Sequence, residues 1–530
     1  LMLNHYANNN ELNITTYDIS TAVLYAKVPD DVTYYLKAPI GFDFQTKYVL
    51  LKKQAYGLNT SPLAFHKKLV EVLHELVEDA VSDPCLHRTA DFRTFLIEHV
   101  DDIMVLTQNK SQIEELLLKH FKLKINDPPE YYLGYDILPS TGELKLSLET
   151  YIEQAINDFP EDLILYLKLP TYRTGDIKPD GGELPQLKKG RLSRKYGKVF
   201  NSSLEPLQFE DFDIMELTPP DADAKAFQTM LTDTIRKMKQ SGTGKERYAH
   251  LEALVLKLHG AQDYTEFYAK HPLFPHHQFS LRMYQKVVGT LIYIATKGRF
   301  DVQVHASMLS QFSSMPKIQH FFQALQVLRY VYSTRSSHYQ FIRHDTALKK
   351  KANGKIKEPI TLDVYTDASQ LPHASQGGYY ITSKHRYITS KSFRIQHYAG
   401  CSYYAEMLAL RTGIEAAVTV KEHLRDFGYK KVLINVHCDN FPLVQLVRKG
   451  FSSKKDMDKI LLNCYYMLRD NFKDDVFDIA HVSGAANPAD LLTKTLGFTA
   501  MVKLMEHPDI ASTFTLILNA YPQKLESSID

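Results

Sequence analysis

At 530 residues, 44% hydrophobic and 23% charged, the chain is long enough for about three or four domains, each with a core of its own. Its 63 Lys and Arg nearly cancel its 61 Asp and Glu, leaving +2, which excludes a generally polybasic binder and leaves any nucleic-acid surface to local clusters. Cys85, Cys401, Cys438 and Cys464 stand far apart, with no Cys-x-x-Cys pair and no His spacing that suggests zinc; they read as reduced core residues.

In chain order, residues 1–10 read as the end of a helix with no start Met and no signal segment, as if the chain were a piece of something longer. No run approaches the ~18 apolar residues of a membrane span, so no membrane partner is expected. Residues 13–24 read as a strand running into a helix, with Asp18 near the strand's end. An acid there suits a sheet-borne metal site, and equally a helix N-cap. Strands follow at 33–37 and 48–52. The turn 55–62 then opens a helix over 63–77, with Ser61 as N-cap and Pro62 at the first helical position.

The next stretch organises the chain. Residues 95–100 and 103–107 are apolar strands, and the two-residue gap predicts a hairpin with Asp101 and Asp102 at its tip. An Asp-Asp turn by itself is ordinary. These strands, however, are too apolar for a solvated hairpin, so the carboxylates would sit at the rim of a packed sheet. There they repel unless a divalent cation lies between them and a ligand. That arrangement points to metal-dependent phosphoryl transfer and calls for a third carboxylate on the sheet. A helix over 111–121 and strands over 131–138 and 144–147 come next.

The blocks Asp18-Ile-Ser-Thr-Ala, Leu50 to Lys53 with Tyr56-Gly57-Leu58, Val100-Asp101-Asp102, Tyr132-Leu-Gly-Tyr-Asp-Ile137 and Leu146 to Tyr151 stand in the order of a known family. In these blocks the chain resembles the reverse transcriptase of copia-type retrotransposon Pol polyproteins, closest to fungal elements. The resemblance implies an α/β (α+β multidomain) architecture: a right-hand polymerase palm with fingers, thumb and connection, then a ribonuclease H-like α/β domain. It implies that Asp18, Asp101 and Asp102 hold two Mg²⁺ ions, Mn²⁺ being an alternative, with Val23, Tyr56 and Gly57 at the nucleotide. The implied partners are RNA template, DNA primer, RNA:DNA hybrid and dNTPs, with a homodimer as one assembly. The implied location is the cytoplasm, within virus-like particles.

Residues 170–197 and 205–223 look like surface insertions, and Lys188, Lys189, Arg191, Arg194, Lys195 and Lys198 form a basic cluster. The stretch Ser241-Gly-Thr-Gly-Lys-Glu is no phosphate loop, because its glycine spacing is wrong and no Ser or Thr follows Lys245. Residues 284–296 and 320–334 are helical by period. Gly289, Arg299, Asp301, Leu309, Phe312 and Pro316 match a structural block of the same family. Residues 348–358 look like an exposed basic tether.

From Thr361 the pattern shifts to strands at 362–369, 378–382 and 387–393, a helix over 402–427, a strand over 431–437, helices from Pro442 and Lys455, and a strand over 476–482. That is the ribonuclease H order. Asp367, Glu406, Asp439 and Asp490 fall where such a sheet gathers carboxylates at one edge. Their implied role is to hold two metals against the RNA strand of a hybrid. The divisions expected are 1–140 palm and partial fingers, 141–345 thumb and connection, 346–358 tether, 359–498 ribonuclease H domain and 499–530 tail.

The chain departs from the family's pattern in several places. The family's triphosphate-holding finger strands are expected upstream of Leu1. The position five after the first aspartate, normally an aromatic ring, is Val23. His99 precedes Val-Asp-Asp, Asn59-Thr60 follows Gly57-Leu58, and Ala485 stands where a mobile histidine is usual. His481 reads as a core or edge histidine. Two alternatives therefore stay open: a non-catalytic nucleic-acid-binding remnant or structural subunit, and a nuclease-only protein.

Overall fold

The structure, a computed structural model, describes residues 1–37, 46–140, 142–168, 275, 278–314, 316–343, 354–370, 375–395, 402–450, 459–496 and 498–517. The basic cluster at 188–198, the acidic stretch at 205–223, the stretch 241–246 and Cys401 lie outside these residues. The chain forms two compact units: residues 1–147 with 339–362 and 416–433, and residues 148–338 with 363–415 and 434–530.

In the first unit, helix α1 (Met2–Asn8) leads into strand β1 (Asn13–Ile19). Strands β2 (Tyr35–Lys37) and β3 (Tyr48–Leu50) pair with each other, and helix α2 spans Ser61–Leu73. Strands β4 (Glu78–Asp79), β5 (Leu86–Arg88), β6 (Thr94–His99) and β7 (Asp102–Thr107), helix α3 (Ser111–His120) and strand β8 (Leu123–Asn126) follow. The sheet order is β4-β5-β6-β7-β1-β8, which sets β1 in the interior. Tyr17 and Ile19, Leu96, and Ile103 and Val105 turn to one face. There they meet Phe65, Leu69, Val72 and Leu73 of α2 and Ile113, Leu116 and Leu117 of α3. Period two on the strands faces period 3.6 on the helices, and the two patterns close one core.

Four expectations need correction. The hairpin tip is Val100-Asp101, because Asp102 already pairs with His99 and opens β7. Ser61 does not cap its helix; its hydroxyl donates to Gln54 Oε1 (3.0 Å) and to the Ala55 carbonyl (2.7 Å). The strand expected over 131–138 is two, β9 (Tyr131–Tyr132) and β10 (Tyr135–Ser140), folded about Leu133-Gly134. Both turn residues have positive φ, 49° and 90°, as a tight two-residue hairpin requires. Finally, the described end of the basic tether is anchored. Ile356 is buried and its N–H donates to the Gly428 carbonyl at 2.9 Å. Gly354, at φ 76°, lies so close to the Asp91 backbone that a Cβ would stand 1.8 Å from its carbonyl oxygen.

Strands β11 (Glu143–Ser147) and β12 (His338–Ile342) extend the β9–β10 hairpin in the order β12-β11-β10-β9. The rings of His5, Phe95, Phe427 and Tyr429 meet edge-to-face or tilted, and Asp426 accepts the N–H groups of Val81 and Ser82.

The second unit begins with α4 (Glu149–Asn157) and α5 (Glu161–Leu167), and continues with α6 (Leu281–Thr296), α7 (Gln303–Ser310) and α8 (Ile318–Ser333). Ser280 caps α6 by accepting from Met283 N at 3.1 Å, and Leu281, Tyr284, Val287, Val288, Leu291 and Ile294 recur at helical spacing on its buried face. Between α6 and α7 a buried bidentate pair forms. Arg299 Nε donates to Asp301 Oδ1 at 2.9 Å and Nη2 to Oδ2 at 2.6 Å. Thr334 accepts from the same guanidinium, and the Tyr330 hydroxyl donates to Asp301.

Strands β13 (Ile360–Gln370), β14 (Ser375–Ser383) and β15 (Arg386–Ile395) lead to helix α9 (Ser402–Asp426). Strand β16 (Val432–Cys438), helices α10 (Phe441–Lys449) and α11 (Lys459–Lys473) and strand β17 (Asp478–His481) complete the sheet. The sheet order is β15-β14-β13-β16-β17, antiparallel through the first three strands and parallel from β16 to β17. This is the ribonuclease H-like arrangement that the element order predicts. Among the described residues no helix is long and apolar enough to cross a membrane.

Removing one member of the Arg299–Asp301 pair leaves an uncompensated buried charge. Asp301→Ala is expected to destabilise its unit by about 3–5 kcal/mol, read as a lowered denaturant midpoint.

Candidate active sites

The interior position of β1 decides where the first acids meet. Asp18 lies directly opposite Asp102 in the β1–β7 register, and Ile19 N donates to the Asp101 carbonyl at 2.9 Å. Three carboxylate-bearing residues thus share one end of a packed sheet. Val100, which turns the chain ahead of them, has φ 58°, a conformation β-branched residues rarely adopt. Burial raises the Asp102 carboxyl, and the like charges of Asp101 and Asp18 raise it further. Among the described residues, these three are not one of the acid groups whose ligand atoms all lie within 4.8 Å of one another. The backbone assembles the trio while the side-chain oxygens stay spread.

The three residues expected at the nucleotide sit differently. Val23 is 3% exposed, within a short 3-10 helix over Ala22–Tyr25. Tyr56 is 63% exposed, and Gly57 adopts φ 92° with open space where a Cβ would lie.

The second site is tighter. Asp367 on β13, Asp439 just after β16 and Asp490 in the short helix Pro488–Leu492 bring ligand oxygens within 4.8 Å of one another. Glu406, in the first turns of α9, falls within the same distance of Asp439 and Cys438. Asn487 fixes the Asp490 helix by accepting from Ala489 N (3.2 Å) and donating to the Thr366 carbonyl (3.0 Å). Gly378 allows that helix to lie on β14, since a Cβ there would come 2.6 Å from Leu492 Cβ.

Burial, then Asp367 and Asp439, push the Glu406 carboxyl up to about 9. Burial and Asp367 push Asp490 up to about 6, and Asp439 is raised for the same reasons. Glu406 Oε2 is buried with no hydrogen-bond partner. Four crowded oxygen donors, one of them orphaned, fit a hard divalent cation.

Sequence reading missed the positive charge already at this edge. Lys494 Nζ lies 2.7 Å from Asp490 Oδ1 and 3.5 Å from Asp367 Oδ2, and Thr493 donates to Asp367. The four-residue step from Asp490 to Lys494 was the available signal. His481 is an exposed edge histidine with Nε2 3.1 Å from the Asp439 carbonyl.

A family model described as reverse transcriptase (RNA-dependent DNA polymerase) matches residues 1–163. A transposon Ty5-1 protein of Saccharomyces cerevisiae is 38% identical over 377 residues, covering 68% of this chain and 87% of that protein. The chain belongs to the copia-type retrotransposon Pol family. A Pol polyprotein from transposon TNT 1-94 of Nicotiana tabacum is 21% identical over 92% of this chain, which spans 30% of that polyprotein's length. Among solved structures, a foamy viral protease-reverse transcriptase in complex with RNA/DNA hybrid overlays 91% of this chain and 46% of that one at 11% identity, with a TM-score of 0.39. The copia-type chain carries a reverse transcriptase region, matched over residues 1–163, and a region with the ribonuclease H-like sheet order β15-β14-β13-β16-β17.

The raised Glu406 carboxyl has a testable consequence. The folded state holds this proton more tightly than the unfolded chain, where a Glu titrates near ~4.3. Its contribution to stability is therefore full below that value and is lost as pH rises through about 9. Melting temperature in EDTA should fall across this window in the parent and fall less steeply in Glu406→Gln, with the variant the more stable at alkaline pH.

Proposed function

We propose that this chain is an RNA- and DNA-directed DNA polymerase that also cleaves the RNA strand of RNA:DNA hybrids. The edge where Asp367, Asp439 and Asp490 converge with Glu406 beside them supports the nuclease, and Asp18 set opposite Asp102 at the sheet end supports the polymerase. In this reading residues 1–140 are palm and partial fingers, 141–345 thumb and connection, and 359–498 the nuclease. Asp18, Asp101 and Asp102 serve the polymerase; Asp367, Glu406, Asp439 and Asp490 serve the nuclease. Two Mg²⁺ ions at each set would supply Lewis acidity toward the phosphoryl oxygens and the attacking hydroxyl or water.

The chain's own groups do the rest. Acids held at sheet ends give a fixed array of acceptors, which needs little reorganisation when a phosphate arrives. Lys494 offsets part of the nuclease site's negative charge. Tyr56 is exposed and free to lie against a base or sugar, and Gly57 leaves room for the nucleotide to approach. Val23 is buried, so this position presents no aromatic ring that would reject a 2′-hydroxyl. Template, primer, hybrid and dNTPs are the proposed partners, and virus-like particles in the cytoplasm the proposed setting.

A second reading, an active nuclease beside a silent palm, is favoured by the wider spread of the palm acids. Extension of a DNA primer on RNA with Mg²⁺, with RNA cleavage followed in the same tube, separates the two. Asp101→Asn with Asp102→Asn should abolish extension and spare cleavage, and Asp439→Asn should do the reverse, each by at least about 10³-fold. The parent should also incorporate ribonucleotides more readily than Val23→Tyr. Cleavage without any extension by the parent would establish the second reading; neither activity would overturn both.

A further inference from the structure

In the first unit, away from the carboxylates already described, stands a mixed cluster of metal-ligating side chains. His66 on α2, Cys85 just before β5 and Glu98 on β6 bring a ring nitrogen, a sulfur and a carboxylate oxygen within 4.8 Å of one another. The His66 ring is hydrogen-bonded to Glu98 Oε1. The other oxygen, Glu98 Oε2, is buried without a hydrogen-bond partner. It faces His87 Nε2, equally buried and unpartnered, at 4.0 Å, and these side chains are 4% and 0% exposed.

Proton placement sharpens the point. His87 Nδ1 lies 2.8 Å from Asp79 Oδ1. A carboxylate only accepts, so Nδ1 carries the ring proton. In the neutral ring Nε2 is then a bare lone pair. In the ionised carboxylate, Glu98 Oε2 is also an acceptor. Two acceptors facing each other in a buried space, with no donor between them, cost free energy that a shared cation would recover.

The spacing suits one. Ligands bound tetrahedrally at ~2.0–2.3 Å lie roughly 3.3–3.8 Å apart; those of His66, Cys85 and Glu98 lie within 4.8 Å of one another, and His87 Nε2 lies 4.0 Å from Glu98 Oε2. Imidazole, thiolate and carboxylate together select zinc over magnesium or calcium. Asp79 behind His87 is the outer carboxylate that orients a metal-bound histidine. The Cys85 loop is already set: Cys85 N donates to Asp83 Oδ1 at 2.8 Å, and its carbonyl accepts from Glu98 N at 3.0 Å.

We infer that His66, Cys85, His87 and Glu98 form a structural site for a zinc-class divalent cation, which ties α2 to the β5–β6 pair. On binding, the Cys85 thiol releases its proton to solvent, the His66 Nδ1 proton passes by way of solvent to Nε2, and the His66–Glu98 hydrogen bond gives way to two metal bonds. The site braces the strand that ends in the Val100-Asp101 turn, three residues beyond Glu98.

Titration of the full chain with Co²⁺ tests this. A thiolate-to-cobalt charge-transfer band should appear, saturate at one equivalent, vanish in Cys85→Ser and persist in Cys438→Ser, which removes the thiol beside Glu406 and Asp439. Asp79→Asn, which leaves every ligand in place, should weaken binding roughly 10–100-fold. Absence of the band in the parent would overturn the proposal whatever the variants do, and so would a band that survives Cys85→Ser.

Discussion

Side chains on a strand alternate between faces, so the register of β1 against β7 controls both what is buried and what is presented. Asp18 stands opposite Asp102 in the same alignment that turns Tyr17 and Ile19 toward α2 and α3. A slip of one residue would send Asp18 to the other face and take that apolar set off α2 and α3. The hydrophobic core and the acid pair are therefore not separate features. Burial of the one enforces proximity of the other.

Proximity of carboxylates carries an electrostatic cost, and the two acid clusters meet it differently. At the first, the three acids do not share a common 4.8 Å cluster, and burial and its neighbours raise the Asp102 carboxyl. At the second, the oxygens crowd together, and Lys494 reaches across to Asp367 and Asp490 while Glu406 and Asp490 hold their protons more tightly. The same law explains the Arg299–Asp301 pair, where a bidentate partner and the Tyr330 and Thr334 groups satisfy a charge that lies wholly out of water. Where positive charge is missing among the described residues, as around Glu98 and His87, unsatisfied acceptors remain.

Much of this was legible along the chain. Alternating and helical periods placed β1, β6, β7, α6, α8 and the strands of the ribonuclease H-like sheet within a few residues of their observed ends, because local patterning reports which face is buried. The misplacements share a cause. Val100 takes a positive φ that its side chain disfavours, and Leu133 does likewise beside Gly134, so propensity alone draws the turns in the wrong place. Ser61 looks like a cap by its neighbours, yet Gln54 and the Ala55 carbonyl claim its hydroxyl. Lysines made 348–358 look solvated, while Ile356 within it is buried.

By itself, then, the sequence determined the family, the order of elements and the identity of the acids at strand ends, since each is written in short blocks whose spacing survives without knowledge of the fold. Tertiary structure decided which groups meet through space. Asp490 reaches Asp367 only because Gly378 admits the helix that carries it. Residues 66, 85, 87 and 98 have no metal-like spacing along the chain and come together only when α2 is laid on the β5–β6 pair. Period and propensity are properties of neighbours in sequence. Coordination, desolvation and charge balance are properties of neighbours in space, and no local pattern encodes them.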